Sequence, residues 1–158
     1  MTDYNALAVA LKTTLQADAI LGDPANIKII ETRRRGFSLS DEKDAQFFSP
    51  GDLPAIAIIA NARAKDSALV TTNEIRETLR AEIILISRSR DNQAGLDAHQ
   101  TLVFHLERVL DKQKSSANNL GIDAFVRALS TTDEQIKSGE YYYLISTTAA
   151  DIELTAAF

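Results

Sequence analysis

Thr71-Thr-Asn-Glu-Ile-Arg-Glu-Thr-Leu-Arg-Ala-Glu-Ile-Ile-Leu-Ile-Ser87 is the stretch on which the reading of the fold turns. Ile75, Leu79, Ala81, Ile83 and Leu85 alternate with Glu74, Arg76, Thr78, Arg80 and Glu82, and only Glu77 breaks the pattern. Successive side chains of a strand point to opposite faces, so this period of two predicts a strand with one apolar and one wet face. Towards its end Ile84 and Ile86 join Ile83 and Leu85, which predicts burial on both faces there and a cover over that end.

Upstream, Pro54-Ala-Ile-Ala-Ile-Ile-Ala-Asn-Ala62 is apolar on both alternating faces and reads as a second strand covered on both sides. Tyr4, Leu7, Leu11 and Leu15 recur at spacings of three and four, which predicts a helix from Tyr4 to Leu21 with its apolar face on a sheet. Thr2 or Asp3 caps its start and Gly22-Asp23-Pro24 stops it. Ile27 to Thr32 is short and β-branched, a further strand. Arg33 to Leu53 then reads as a long loop; connections of this length are functional or mobile more often than idle. It carries Arg33-Arg34-Arg35, the acidic group Asp41, Glu42 and Asp44, and three phenylalanines, Phe37, Phe47 and Phe48. A solvated linker seldom holds three phenylalanines, so the loop is expected to order against a partner.

Downstream, Arg88 to Gln93 reads as a polar turn. Leu96, His99, Val103, Leu106 and Leu110 then mark an amphipathic helix from Ala94 to Lys112. Lys114 to Asn119 is a loop, Ile122 to Ser130 a strand, and Thr131 to Gly139 a connection. In the last strand, Tyr141 to Phe158, the apolar residues Tyr141, Tyr143 and Ile145 share one parity and Ile152, Leu154 and Ala156 the other. A bulge at Ala149 to Asp151 is expected to reconcile them. The predicted class is α+β, a mainly antiparallel or mixed sheet of about five strands with two helices on it, in the order α-β-loop-β-β-α-β-β. The 158 residues are expected to form one domain, 1–158, with the long loop at 33–53.

The formal net charge of −5 argues against general affinity for nucleic acid or anionic membrane, which clustered Lys and Arg would supply. Without cysteine there is no disulfide framework and no thiolate metal site. Met1-Thr2-Asp3-Tyr4 has no basic start, and no segment approaches the ~20 apolar residues needed to span a bilayer, so neither a signal peptide nor a membrane span is expected.

The signatures of chemistry are missing. There is no glycine-rich phosphate loop, H-E-x-x-H, G-x-S-x-G or EF-hand pattern. His99 and His105 lie six apart, about 120° around a helix, and make a poor metal pair. His99, on the apolar face, reads as a hydrogen-bonded packing residue. Asp41, Glu42 and Asp44 lack the spacing of a calcium loop and read as solvated. The expectation is a non-enzymatic protein with no catalytic residue, no cofactor and no metal. Three readings stay open for the arginine triplet, whose planar guanidinium groups suit carboxylates or phosphates: a salt-bridged or solvated loop start, a protein interface, and, against the acidic total, nucleic acid. In Tyr141-Tyr142-Tyr143 the middle ring points away from its neighbours, leaving Tyr142 as surface or interface. The interface candidates are thus Arg33, Arg34, Arg35, Phe37, Phe47, Phe48 and Tyr142. The C-terminal Leu154-Thr-Ala-Ala-Phe158 carries no charge to blunt a strand edge and is expected to be paired within the fold or covered by a neighbour.

The layout resembles the tail-terminator family of long-tailed bacteriophages. The resemblance rests on the helix Tyr4-Asn-Ala-Leu-Ala-Val-Ala-Leu11, the long loop after the first strand, the strand Leu53-Pro-Ala-Ile-Ala-Ile58, and the charged-alternating strand into Ile83-Ile-Leu-Ile86. The helix Ala94 to Lys112 and a closing C-terminal hairpin complete it, so it covers almost the whole chain. It is a likeness of layout, without a short motif, and carries over no functional residue. It implies a subunit that forms a ring, commonly a hexamer, at the head-proximal end of the tail tube. There it ends tube polymerisation and faces the neck or head.

The implied partners are other copies of the chain, which stays monomeric until it meets its template, the tail tube protein, a neck or head-completion protein, and a sheath protein if the tail contracts. Genomic DNA would pass through the lumen without sequence-specific binding. The place is the virion tail, after synthesis in the bacterial cytoplasm. The alternatives are another head-tail joining or tail-completion protein, or a small ligand-binding α+β module using Arg33 to Leu53 as a lid.

Overall fold

The computed structural model describes residues 4–32, 50–71, 74–114, 120–122 and 124–157. Among these residues two helices, α1 (Tyr4–Gln16) and α2 (Asn92–Asp111), lie with a five-stranded sheet built from β1 (Ile29–Thr32), β2 (Ala55–Thr71), β3 (Glu74–Ser89), β4 (Ala124–Ser138) and β5 (Tyr141–Ala157). The strands stand in the order β1-β2-β3-β5-β4. The β1–β2 pair is parallel and the other three are antiparallel, which makes the sheet mixed and the class α+β, as read.

The alternation of the central strand decides where the core sits. Leu79, Ala81, Ile83 and Leu85 of β3 share one face with Ile56 and Ile58 of β2 and with Ala150, Ile152 and Leu154 of β5. Both helices pack on that face: α1 through Leu7, Leu11 and Leu15, which are fully buried, and α2 through Leu106, Val109 and Leu110. Each such side chain contributes roughly 1.5–3 kcal/mol by leaving water. The opposite face holds a smaller cluster of Leu53, Ala55, Ala57, Ile59, Ile84, Ile86, Tyr143 and Ile145, all buried. Ile83 to Ile86 therefore lie where both faces are dry. Further along β3 the second face becomes polar, and Arg80 there meets Asp151 of β5 at 3.1 Å.

Several boundaries differ from the sequence reading for identifiable reasons. The first helix ends at Gln16, five residues early, because the Asp18 carboxylate accepts the N–H groups of Ile20 and Leu21 at 3.0 and 2.9 Å and offers the chain a turn in place of a helical rung. The second helix starts at Asn92, where Asp91 caps it by accepting the Ala94 N–H at 3.0 Å. β2 runs to Thr71 and not Ala62, with a register irregularity against β3 between Asn61 and Asp66. Thr131 to Ser138, read as a connection, is the second half of β4. The segment 33–49, most of the predicted loop, and the predicted caps Thr2 and Asp3 lie outside the described residues; Pro50–Asp52 forms a short 3-10 turn.

The expected bulge in the last strand is absent. β5 keeps one unbroken register with all sixteen residues of β3, from Glu74↔Ala157 to Ser89↔Tyr142. Its apolar parity changes because Tyr143 and Ile145 belong to the second-face cluster and Ile152 and Leu154 to the helix-covered one. The bulge sits instead in β4, between Val126 and Ala128. β5 is flanked by β3 and β4, and of the uncharged C-terminal stretch Leu154 to Ala157 pair with Glu77 to Glu74 of β3, while Phe158 lies outside the described residues. A two-residue turn, Gly139-Glu140, joins β4 to β5, with Gly139 at φ +61°, the conformation that favours glycine at the first turn position.

The first turn of α2 passes so close to β3 that a Cβ on Gly95 would lie 2.4 Å from Cβ of Ser89. Gly95→Ala is expected to destabilise the fold by about 1–3 kcal/mol through overpacking, despite the ~1 kcal/mol that alanine returns in helix propensity. Urea denaturation of Gly95→Ala, Ser89→Gly and the double variant checks this. The double variant should recover most of the loss, and a Gly95→Ala protein as stable as the parent would remove the close approach as the reason for glycine.

Candidate interaction surfaces

Of the seven predicted interface residues, Arg33, Arg34, Arg35, Phe37, Phe47 and Phe48 lie outside the described residues, as do the acidic Asp41, Glu42 and Asp44. Tyr142 is described. It is half-buried on the helix-bearing face, opposite Ser89 and Lys137 in the ladder, with the Lys137 ammonium 5.5 Å from its ring centroid. Tyr143 points the other way and is buried, as the strand parity required.

Tyr141 supplies what the sequence reading missed. Its ring lies under the guanidinium of Arg88 at 4.2 Å and near that of Arg90 at 5.1 Å. Arg90 also approaches Glu140 of the hairpin turn, at 3.7 Å, with both side chains mostly exposed. This end of the sheet thus concentrates Arg88, Arg90 and Lys137 with Tyr141 and Tyr142. In sequence Arg88 and Arg90 look like part of a polar turn. The available signal was that β3 continues to Ser89, which brings Arg88 beside Tyr143 and two residues from Tyr141 across the ladder.

The interior of the helix-bearing face holds a polar relay. His99 of α2 is buried, with Nδ1 2.5 Å from Oγ of Ser87 on β3 and Nε2 2.7 Å from Oγ of Ser146 on β5. Ser146 donates its own proton to Oδ1 of Asp133 on β4 at 2.5 Å. A hydroxyl has one proton, so Ser146 must accept from His99 Nε2–H, which leaves Nδ1 to accept from Ser87. The imidazole is neutral in a single tautomer and every member is satisfied. Burial pushes its pKa down from 6.5 to about 4, against the Asp133 carboxylate, which raises it.

Serine, histidine and aspartate also occur together in hydrolases, but the connectivity here is different. Ser146 hands its proton to the carboxylate and not to the imidazole. Ser87, which does face the imidazole, is buried, and the recess of about 230 Å³ beside the relay is lined by His99, Ser146, Asp133, Gln100 and Gln135 without it. The relay ties α2 to three strands, which is the packing role read for His99. Two further ties flank it: Gln135 donates to Asn92 at 2.6 Å and Thr131 to Glu107 at 2.7 Å. Among the described residues no group of three or more His, Asp or Glu is placed to hold a metal, and no helix is long and apolar enough to cross a membrane.

No protein-family model matches the chain, and no curated protein does. A solved structure does: a chain from the virion of a native gene transfer agent particle superposes with a TM-score of 0.51 at 13% identity, over 94% of this chain and 96% of that one. At this identity the likeness is one of fold, and it extends from end to end of both chains.

The relay makes stability depend on pH in a defined sense. The unfolded chain takes up the His99 proton near pH 6.5 and the folded chain only near 4, so folding loses stability as pH falls through that window. The loss amounts to at most about 3 kcal/mol, at 1.36 kcal/mol per unit. Chemical denaturation between pH 7 and 4.5 checks this against His99→Gln, which should be weaker at pH 7 but flatter over the window. Parallel pH profiles for the two proteins would show that His99 is not the titrating group.

Proposed function

We propose that this chain is a structural subunit of a phage-type particle, and specifically a tail-terminator-like protein. Copies assemble into a ring, a hexamer in the simplest case, at the head-proximal end of a tail tube. The observation that carries the particle-subunit reading is the end-to-end fold likeness to a chain of the gene transfer agent virion, which leaves neither chain with a substantial unmatched part. The finer placement at the tube end rests on the order and texture of the segments, from the helix at Tyr4 to the closing hairpin at Tyr141. On this reading the partners are further copies, the tail tube protein, a neck or head-completion protein and, in a contractile particle, a sheath protein.

An assembly role also agrees with how the polar side chains are used. The one histidine relay inside the core is closed and satisfied, whereas the cations and tyrosines at the hairpin end are displayed. Tyrosine and arginine are the residues enriched where proteins meet. We assign the contact surfaces to Arg33, Arg34 and Arg35 with Phe37, Phe47 and Phe48 in the long loop, and to Tyr142 with its neighbours at the hairpin end.

Light scattering over a range of concentrations, followed by negative-stain imaging of the protein mixed with tail tubes, tests the reading. Rings, or density capping one end of each tube, are expected; capping of heads in place of tubes would move the protein to the neck. Replacing Arg33, Arg34 and Arg35 together by alanine should change folding stability by less than ~0.5 kcal/mol each, as surface substitutions do, while reducing assembly. Undiminished capping by the triple variant would remove that triplet from the interface.

A further inference from the structure

We infer that the free edge of β4 is a strand-addition site, and that its occupant is the β2 edge of a second copy, so that the sheet continues from one subunit to the next. This rests on the ring reading and supplies its contact.

The hydrogen-bond phase of β4 follows from its hairpin. A two-residue turn makes Ser138 and Tyr141 a hydrogen-bonded pair, and antiparallel pairs alternate between bonded and unbonded. Lys137, Gln135, Asp133, Thr131 and Leu129 therefore turn N–H and C=O away from β5. None of these ten main-chain groups has a partner among the described residues. Beyond the bulge the edge is closed, for Val126 N–H donates to the Gln113 carbonyl at 2.7 Å. What remains open spans nine residues, roughly 27 Å at about 3.3 Å per residue.

Monomeric proteins blunt such an edge with charge, proline, a bulge or a covering element. Residues 128–138 contain no proline and the bulge of β4 lies before them, so charge, at Asp133, Glu134 and Lys137, is the one such device along this stretch. The edge is also held in shape. Thr131, Asp133 and Gln135, three consecutive outward-bonding residues, are each tied by a side chain: to Glu107, to Ser146 and thereby His99, and to Asn92. Ordering costs are thus met before a partner arrives.

The occupant follows from the other side of the sheet. β1 covers β2 only from Ala55 to Ile58; beyond it, among the described residues, Ile59 to Asn61 and Asp66 to Leu69 pair with β3 alone, and 62–65 between them are unpaired at a register irregularity. Three successive antiparallel pairings set β4 opposite in direction to β2. A neighbour that continues the sheet then meets β4 antiparallel through β2. Two different edges on opposite sides make a heterologous contact, the kind that closes into rings. The isologous alternative, β4 on β4 with the whole edge engaged, would set Asp133 against its own copy, a like-charge pair.

Amide hydrogen exchange on the isolated and the assembled chain tests this. In the isolated chain the amides of Leu129, Thr131, Asp133, Gln135 and Lys137 should exchange fast, and those of Ser130, Thr132, Glu134 and Ile136, which face β5, slowly. Assembly should slow the first set at least tenfold. The absence of cysteine permits a second readout: Gln135→Cys combined in turn with a cysteine at each position from 61 to 71. Within one chain β2 and β4 stand three strand spacings apart, about 14 Å, beyond the reach of a disulfide. Every cross-link therefore joins two chains, and yields should peak at alternate positions along the regular stretch 66–69.

Rings whose five amides exchange as fast as in the isolated chain would overturn the edge and leave the ring reading intact. Covalent dimers from Gln135→Cys alone would overturn β2 as the occupant. A chain that never assembles, at any concentration or with tubes, would overturn both readings.

Discussion

The unbroken ladder between β3 and β5 is the constraint on which the remainder depends. Side-chain direction on a strand has a period of two, so a slip of one residue would exchange the two faces along the whole length of β5. Ile152 and Leu154 would leave the helices, and Tyr143 and Ile145 would leave the second cluster. The same register builds the histidine relay. Ser146 lies opposite Leu85 and Ser87 opposite Leu144, which sets two hydroxyls on adjacent strands and one face, within reach of the two nitrogens of a single ring. One pairing scheme thereby fixes both cores and the anchor of α2.

That dependence explains what could be read from the sequence. Where one face is dry and the other wet, alternation is visible, and β3 was legible residue by residue up to the four isoleucines and leucines buried on both sides. The two helices were legible for the same reason at their own period. β4 was not. Beyond Leu129 it carries Ser130, Thr131, Thr132, Asp133, Glu134 and Gln135, because it is the edge strand and much of it faces water. Its hydrogen bonds to β5, and not apolar burial, make it a strand. β5 misled in the opposite way: a change of apolar parity signalled a change in which face is covered, with no extra residue in the strand.

The surfaces were legible only in part. The face that Tyr142 takes could be read from parity alone, since its neighbours had to take the opposite one. Arg88 and Arg90 could not, because their significance comes from Tyr141, more than fifty residues away in sequence and brought alongside by the ladder. His99 could be recognised as buried from its place on the apolar stripe. Its partners Ser87, Ser146 and Asp133 sit on three different strands, and nothing local marks them.

Helix docking and edge geometry are physically one system here. Asn92, His99 and Glu107 lie roughly two turns apart along α2, and through Gln135, Ser146 with Asp133, and Thr131 they hold alternate residues of the outermost strand. Loosening α2 would free the side chains that keep the edge regular, and protonation of the buried imidazole acts on that same contact. The net charge of −5 works against the approach of two identical chains. An edge that is ordered in advance but approached slowly favours pairing where other proteins already hold two copies side by side. On the proposed reading the end of a tail tube is such a place, and the repulsion between free copies works against pairing of the edge elsewhere.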